Sequence, residues 1–444
     1  MKKIILLFVC ALAYSGLSAQ DTLKLTLSEA VEIALSESPT IKLADKEIER
    51  VDYSKKSAWY ALIPNLEGNG QYAKYVAPAK MSMFGQLMDS PTKATGSLGL
   101  SASIPLFAPA LWHSINMTTL EMQAAVEKAN ASKINLKNDV TKAYYNVLVI
   151  QDSYKVLLES YELAKKNFDV AKKGYDAGVL AAYDYISVEV QLNNLQPNIM
   201  QAENGINQAV TYLKILLGLD VNQPIRIVNT LADFEKNVVA VDRLQDLNLE
   251  NNPDLRQLDI GRLQLQKSLQ LQRSQRLPTL AGFGQYGYQG MSTKEMMLNL
   301  GMAPIPVEAR RDWYSQGLLL GLQLRVPITG IFTGSPKEKQ LKIQEESLML
   351  QRYQAENAIH LQALTALDQM NKAVKQVEAT RKSIELSEKA YSISSKRYEN
   401  GAGTMVELQN ASLAITQAKL SYHQAISEYL SAKADLEKLL GREI

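Results

Sequence analysis

The sequence has one cysteine, and its position makes sulfur chemistry improbable. Residues 1–19 are predicted to be a secretory signal, because Lys2 and Lys3 precede a short apolar run that ends at a small-residue cleavage sequence. Cys10 lies inside that run. Val9 is not the small residue that usually precedes a lipidated cysteine, so lipidation at Cys10 is not expected. The exported chain then has no cysteine, which excludes disulfides and thiolate catalysis.

A charge imbalance and a metal-ligand cluster are also missing. Without Lys2 and Lys3, 46 basic residues face 46 acidic residues, so nothing in the balance suggests a nucleic-acid partner. The only histidines, His113, His360 and His423, are far apart, and none has a second ligand at metal spacing. We therefore expect no metal and no cofactor. No stretch after the signal resembles a transmembrane helix.

Catalytic motifs are equally scarce. The sequence GFGQYG at 282–287 matches a dinucleotide-binding pattern, which requires a preceding strand and a helix that opens at its third glycine. Tyrosines and another glycine follow instead. A related GNGQY sequence occurs at 68–72, so strand structure explains the pattern better than nucleotide binding does. We predict that the chain is not an enzyme.

Proline is absent from residues 110–175, so nothing obliges this segment to stop being helical. Apolar or aromatic residues recur there every seven positions, as in a coiled-coil seam. They are Val140, Val147, Tyr154, Tyr161, Phe168 and Tyr175. One helix of about 66 residues would span about 100 Å. Gly178 then lets the chain reverse, and a second helix over 184–218 is predicted to pack back along the first.

The same pattern returns near the C-terminus, which indicates an internal duplication. The second set of seven-residue steps is Ala363, Met370, Val377, Ile384, Tyr391 and Tyr398. Gly178 and Gly401 lie as far apart as Gly218 and Gly441, which end two Leu-Leu-Gly sequences. The predicted repeats are 20–218 and 247–444, joined by an irregular connector over 219–246, with long helical hairpins over about 110–217 and 336–440.

Two segments alternate apolar and polar residues with period two, which predicts strands with one apolar face. They belong to β-hairpins over about 66–105 and 280–327, where Pro105 and Pro327 are expected to end the strands. Each hairpin follows a predicted helix, 25–60 with Ser28 as N-cap and 244–275. The predicted lipid-facing residues are Leu98, Leu100, Leu318, Leu320, Leu322 and Leu324.

A soluble sandwich would show the same alternation as a membrane barrel. The small polar opposite face and the length of about ten residues favour the barrel. Four strands cannot close a barrel, and open edges in hydrocarbon would leave backbone groups unpaired. The residues therefore predict more than one subunit.

Several stretches together carry a family resemblance. They are LTLSEAVEIALSESPTI at 25–41, SLGLSASIPLF at 97–107, YDAGVLAAYDY at 175–185, YENGAGTMVELQNA at 398–411 and both Leu-Leu-Gly endings. With these residues in order over nearly the whole exported chain, the sequence resembles the TolC-like outer-membrane efflux family. The resemblance implies a mixed α and β fold with a two-fold repeat. It also implies a homotrimer whose four strands per subunit share a twelve-stranded barrel, continued by a long α-helical coiled-coil barrel in the periplasm.

The resemblance also implies a function and its partners. Such proteins are outer-membrane exit ducts of tripartite efflux or type I secretion systems, docked to a periplasmic adaptor and an inner-membrane pump. The family's aperture residues match Tyr398, Glu407, Asn410 and Asp184 here. The usual basic partner of Asp184 would fall at Gly403, which has no side chain, so this salt bridge between the two hairpins cannot form here. The implied adaptor-docking tips are Gly178, Val179, Gly401 and Ala402.

Two other classes of protein compete with the duct. The first is a structural coiled-coil envelope protein without a pore, which would have no use for two amphipathic β-hairpins. The second is a module that binds a ligand between its helices, and no convergent polar pocket in the sequence supports it.

Overall fold

The computed structural model describes residues 23–83, 86–236, 238–240, 249–298, 305–328 and 336–442. The predicted signal with Cys10 and part of the predicted connector lie outside these residues. The chain divides into two compact units. The helical unit comprises residues up to Glu47 together with Ala125–Asp259 and Gln351–Ile444, and the sheet unit comprises Ile48–Ala124 and Ile260–Leu350.

Two long helical hairpins account for most of the helix. The first joins α3 (Pro109–Asp176) to α4 (Ala182–Leu217), and the second joins α7 (Pro336–Glu399) to α8 (Met405–Leu440). Their first helices have 68 and 64 residues, and their second helices have 36 each. The single long helix expected over 110–175 is confirmed. None of the described helices is both long and apolar enough to cross a membrane.

The seven-residue pattern predicts the buried seam only in part. Val140 and Val147 of α3 are fully buried, as are Ala363 and Met370 of α7. Nearer the α3–α4 turn, Tyr154, Tyr161 and Phe168 are half-buried and Tyr175 is exposed. Smaller residues fill the seam there, namely Val156, Ser160, Ala164, Asn167 and Ala171. Small side chains allow close helix approach, while the tyrosine rings lie at the flank with their hydroxyl ends near water.

The start of the described chain corrects the single helix expected over 25–60. Strand β1 (Leu23–Leu25) pairs in parallel with β6 (Ile225–Ile227), and two helices follow, α1 (Leu27–Glu37) and α2 (Pro39–Tyr60). The N-cap is Thr26 rather than Ser28, because Thr26 and Glu29 form a reciprocal capping box. The chain breaks at Ser38, since the residue before a proline avoids helical angles.

The predicted irregular connector contains ordered elements. Besides β6, it includes α5 (Leu231–Glu235), whose Leu231 is fully buried in the core of the helical unit. The hydroxyl of Tyr144 lies within hydrogen-bond distance of the Leu25 carbonyl (3.0 Å) and the Asn229 side chain (2.8 Å). These contacts tie the connector and β1 to α3. Helix α6 (Pro253–Ser274) follows.

The sheet unit contains a four-stranded antiparallel sheet. Its order is β10 (Arg311–Arg325), β7 (Thr279–Thr293), β5 (Thr92–Phe107) and β2 (Asn65–Lys74). Strand β5 runs through Pro105, contrary to expectation. Strand β2 ends opposite Ser103, so Pro105 has no neighbour on that side and sits at an irregularity of the pairing with β7. The predicted loops carry small hairpins, β3 (Lys80–Met83) with β4 (Gln86–Asp89), and β8 (Met296–Leu298) with β9 (Ile305–Val307).

The strand register separates the two faces of this sheet, since directly opposed residues share a face. One face carries leucines, glycines and aromatic residues: Leu66, Gly68, Gly70, Tyr72, Gly96, Leu98, Leu100, Ala102, Ile104, Leu280, Gly282, Gly284, Tyr286, Tyr288, Leu318, Leu320, Leu322 and Leu324. The other face is mainly polar, although Phe283, Leu319 and Met291 also lie on it: Asn65, Glu67, Asn69, Gln71, Ser97, Ser101, Ser103, Gln285, Gln289 and Gln323.

Both second helices end in the same glycine motif. Gly218 has φ +72° and Gly441 has φ +63°, and in each case the next residue donates its N–H to a carbonyl five positions back. A Cβ at Gly218 would lie 2.6 Å from the carbonyl oxygen of Glu37, and one at Gly441 would lie 2.7 Å from that of Asn251. The C-terminal ends of α4 and α8 therefore pack closely against the backbone just before a helix that begins with proline.

We expect Gly218→Ala to destabilise the fold more than Gly178→Ala. Both residues have φ +72°, so each alanine bears a left-handed penalty of about 1–2 kcal/mol. Only Gly218 adds a backbone collision, worth about 1–3 kcal/mol, because no heavy atom lies within 4 Å of a Cβ at Gly178. Thermal unfolding followed by helical circular dichroism measures the difference. Equal melting temperatures would contradict the packing argument.

Candidate functional site

The turns of the two long hairpins share one backbone design. At Gly178 (φ +72°), Val179 donates its N–H to the Gly174 carbonyl at 2.9 Å. At Gly401 (φ +71°), Ala402 donates its N–H to the Arg397 carbonyl at 2.8 Å. This arrangement closes a helix with a left-handed residue that glycine adopts without strain. All four predicted tip residues, Gly178, Val179, Gly401 and Ala402, are exposed.

A small apolar cluster, which we call the tip cluster, lies beneath these turns. It joins all four long helices and holds fully buried residues with partly buried ones around them: Ala171, Val188, Met405, Leu408, Phe168, Leu180, Tyr391 and Tyr398. The ring of Tyr185 stacks on Tyr175 with centroids 5.0 Å apart. The cluster packs against the start of each second helix, and these two helices carry three of the four predicted aperture residues, Asp184, Glu407 and Asn410.

Asp184 and Glu407 begin the second helix of each hairpin. Glu407 is exposed, and its backbone N–H donates to the Thr404 hydroxyl at 3.2 Å, so Thr404 caps α8. Asp184 is half-buried, and Asn410 is exposed one turn beyond Glu407. Burial raises the pKa of the Tyr398 phenol, and the charge of nearby Asp184 raises that pKa further. The described contacts include no hydrogen bond between this hydroxyl and Asp184.

Arg397 is a partner of Glu407 that the sequence did not reveal. Its Nη1 lies 3.5 Å from Glu407 Oε2, and its Nη2 donates to the Ala402 carbonyl at 3.0 Å. The side chain therefore spans the second turn from the end of α7 to the start of α8. Both charged groups are about half exposed, so the ion pair contributes about 0–1 kcal/mol. This pair lies within the second hairpin, whereas the salt bridge that the resemblance implies would join Asp184 to a base at position 403, so Arg397 does not restore that bridge.

In each turn a glycine faces a residue with a side chain where the helix end meets the returning chain, and the two turns place this glycine on opposite sides. In the first, a Cβ at Gly174 would lie 3.3 Å from Leu180 Cβ, and in the second, one at Gly403 would lie 3.1 Å from Arg397 Cβ. In both turns the helix end approaches the returning chain so closely that only one position holds a side chain. Because Arg397 occupies this crossing, a side chain at Gly403 would require its neighbours to shift by a few tenths of an ångström.

The tryptophans of the sheet unit lie near the two ends of the strands. Trp59 and Trp112 meet edge to face, with centroids 6.2 Å apart, near the end where β5 leads into α3. Trp313 lies toward the opposite end and covers Gly290 and Gly96, where a Cβ would approach its ring to 2.5 and 2.8 Å. The chain has only these three tryptophans. Tryptophan is enriched at the two interfaces of membrane proteins.

A four-stranded sheet with an apolar and a polar face, in a chain with two long helical hairpins, is the arrangement that the sequence resemblance implies for a subunit of an outer-membrane channel. The profile of the outer membrane efflux protein family matches residues 30–219 and 244–442. The chain therefore belongs to the outer membrane efflux protein family. It acts as an outer-membrane exit duct for efflux and has a periplasmic helical portion.

Solved structures share this fold at low sequence identity. The outer membrane protein VceC of Vibrio cholerae is 14% identical, with a TM-score of 0.72 over 94% of this chain and 96% of that one. The CmeC channel of Campylobacter jejuni is 16% identical, with a TM-score of 0.71 over 94% and 85%. The MtrE channel of Neisseria gonorrhoeae, solved in its open state, is 19% identical, with a TM-score of 0.66 over 94% and 89%. No curated protein matches significantly.

Proposed function

We propose that the chain works as a homotrimer in which four strands from each copy close one twelve-stranded barrel. The division of the sheet into a leucine-glycine face and a polar face is the observation that carries this proposal. The leucines then face lipid and the polar residues line a wet lumen. Strands β2 and β10 form the two edges of the sheet, so β2 of one copy would pair with β10 of the next. The family resemblance sets the number of copies at three.

The interior of the sheet suits this arrangement. Glycines on β7 and β2 face the leucines of their neighbours, as Gly284 does beneath Leu320, where a Cβ would lie 3.0 Å from the side chain. Gly317 (φ +78°) lies at a bulge where the β10–β7 register shifts between Ser315 and Gly317. Bulges bend strands and increase their twist, which barrel closure requires.

The domain organisation belongs to the same proposal. Residues 1–19 act as the export signal, and 20–218 and 247–444 are duplicated repeats on either side of the connector 219–246. Equal element order, equal lengths of the second helices and the two separate family matches support the duplication. A helical barrel built from both hairpins of each copy would extend into the periplasm.

The hairpin tips are the proposed docking surface for a periplasmic adaptor that connects to an inner-membrane pump. The supporting observation is that Val179 is 82% exposed, although valine is usually buried. The aperture is proposed at the same level, formed by Tyr398, Glu407, Asn410 and Asp184 of three copies. Three Glu407 carboxylates around one axis would favour cations in a narrow pore.

Arginine in place of Leu320 should impair assembly, while arginine in place of Gln323 should be tolerated. Leu320 is 72% exposed on the apolar face, where arginine costs about 2–4 kcal/mol at the bilayer midplane. Gln323 is an exposed residue of the polar face on the same strand. The measurement is the fraction of the protein that is oligomeric after membranes are solubilised in detergent without boiling, determined by light scattering. Equal assembly of both variants would favour a coiled-coil envelope protein without a pore.

Glu407→Gln should lower cation preference, and Arg397→Gln should raise it, because Arg397 offsets the Glu407 charge across the turn. Current through the purified protein in planar bilayers, measured under a salt gradient, gives the selectivity. Lys396→Gln is the matched control, since it removes the same charge one residue away. Identical reversal potentials for all variants would place the aperture elsewhere.

Val179→Glu should abolish adaptor association and efflux while leaving oligomer assembly intact. This substitution avoids the backbone strain that any side chain at Gly178 would introduce. Val239→Glu is the control, because Val239 is also exposed in the helical unit but lies outside the tips. Cross-linking to the adaptor and drug susceptibility of the cells are the two readouts. Unchanged cross-linking would exclude the tip as the docking surface.

A further inference from the structure

Basic and aromatic side chains meet in a groove at one end of the sheet. The groove has a volume of about 390 Å³, and we call it the rim groove. The basic and aromatic residues that line it are Tyr72, Lys74, Lys93, Arg311 and Trp313. Neither the proposed aperture nor the proposed docking tips use any of these residues.

The register explains why a groove exists there. Along one rung, Arg311 opposes Ser292 and Ala94 opposes both Ser292 and Lys74, so two long cationic side chains flank two small residues. On the next rung toward the leucines, Trp313 and Tyr72 flank Gly290 and Gly96 in the same way. These rungs continue the leucine-glycine face. Small central residues thus form a floor between two walls that are each aromatic and basic.

The chain connections fix which end of the sheet this is. Strand β5 leads into α3 at Phe107, and the opposite end bears the β3–β4 and β8–β9 hairpins. With the helices on the periplasmic side, the rim groove faces the outer leaflet. From Leu324 to Trp313 is 11 residues at about 3.3 Å each, and a tilt of about 40° gives a height of about 27 Å. The groove therefore lies where an apolar band of about 25 Å ends.

The cations of the groove are not neutralised within the described part of the chain. Lys74, Lys93 and Arg311 have no ion-pair partner among the described residues. Two of the acidic groups at this end of the sheet have other partners. Asp89 pairs with Lys80 at 2.7 Å, and Asp312 faces Arg310 at 3.9 Å. Asp312 opposes Met291, one residue out of phase with the groove rungs, and so lies on the other face of the sheet.

We propose that the rim groove binds the phosphate-bearing headgroup of an outer-leaflet glycolipid. Lysine and arginine side chains bind phosphate oxygens through charge-assisted hydrogen bonds, and arginine does so in a two-pronged geometry. Tyr72 and Trp313 supply flat apolar surfaces at the level of the headgroups, against which a sugar ring can pack. The acyl chains then run along the leucines below. The inference rests on the proposed orientation of the sheet in the membrane.

Binding of a defined lipid to the purified full-length protein tests this site. The probe is diphosphorylated lipid A in detergent micelles, compared with the same lipid stripped of phosphate, and native mass spectrometry measures occupancy. Each charge near a lipid surface is worth about five-fold in affinity, so Lys74→Gln with Arg311→Gln should weaken binding about 25-fold. Arg325→Gln is the control, since it removes one arginine from the opposite end of the same strand. We expect it to bind as the wild type does.

The other outcomes overturn the proposal in different ways. Equal binding of phosphate-free lipid A would show that the cations recognise no phosphate. Displacement of lipid A by millimolar inorganic phosphate would mean a site for the free anion. Equal losses for Arg325→Gln and the double variant would mean non-specific attraction. Undiminished binding in the double variant would reject the rim groove as the lipid site but not the proposed membrane orientation. Normal assembly of Leu320→Arg would reject the proposed orientation of the sheet in the membrane.

Discussion

Backbone pairing is the constraint on which the rest of this structure depends. In hydrocarbon each unpaired N–H or C=O group costs several kcal/mol, and a four-stranded sheet exposes two edges. Between their charged ends, residues 68–73 of β2 and 313–324 of β10 include no charged residue and no proline, whereas lysines and prolines usually blunt a soluble edge. Such a sheet is incomplete as a monomer in a membrane. The need for further copies thus follows from hydrogen bonding and not from any particular contact.

The hairpin turns obey a second constraint, that of space. The left-handed glycine at each turn brings the returning chain so close to the helix end that a single side chain fits the crossing. The first turn places Leu180 there, which packs into the tip cluster. The second places Arg397 there, which holds Glu407 and the Ala402 carbonyl. One backbone motif therefore yields an apolar turn in the first hairpin and a charged turn in the second.

The sequence predicted the features that depend on local rules. The absence of proline predicted α3, and period-two alternation predicted the apolar faces of β5 and β10. Gly178 and Gly401 predicted the two turns. It failed where distant residues decide. The parallel pairing of β1 with β6 joins segments about 200 positions apart, and three-residue strands carry no periodicity. Arg397 was missed because the resemblance implied a base only at position 403, opposite Asp184, and no base beside Glu407.

The glycines of the sheet show how the side chains of its apolar face pack together. A leucine on β10 needs space beside it, and Gly284 provides that space on β7. Trp313 needs a larger one, which Gly290 and Gly96 provide on two successive strands. Glycines that lie between large side chains make the apolar surface uneven. Near the loops the same pattern continues, because the small residues Ala94 and Ser292 lie between cationic side chains. The groove at the rim is therefore a consequence of the packing rule that builds the rest of the face.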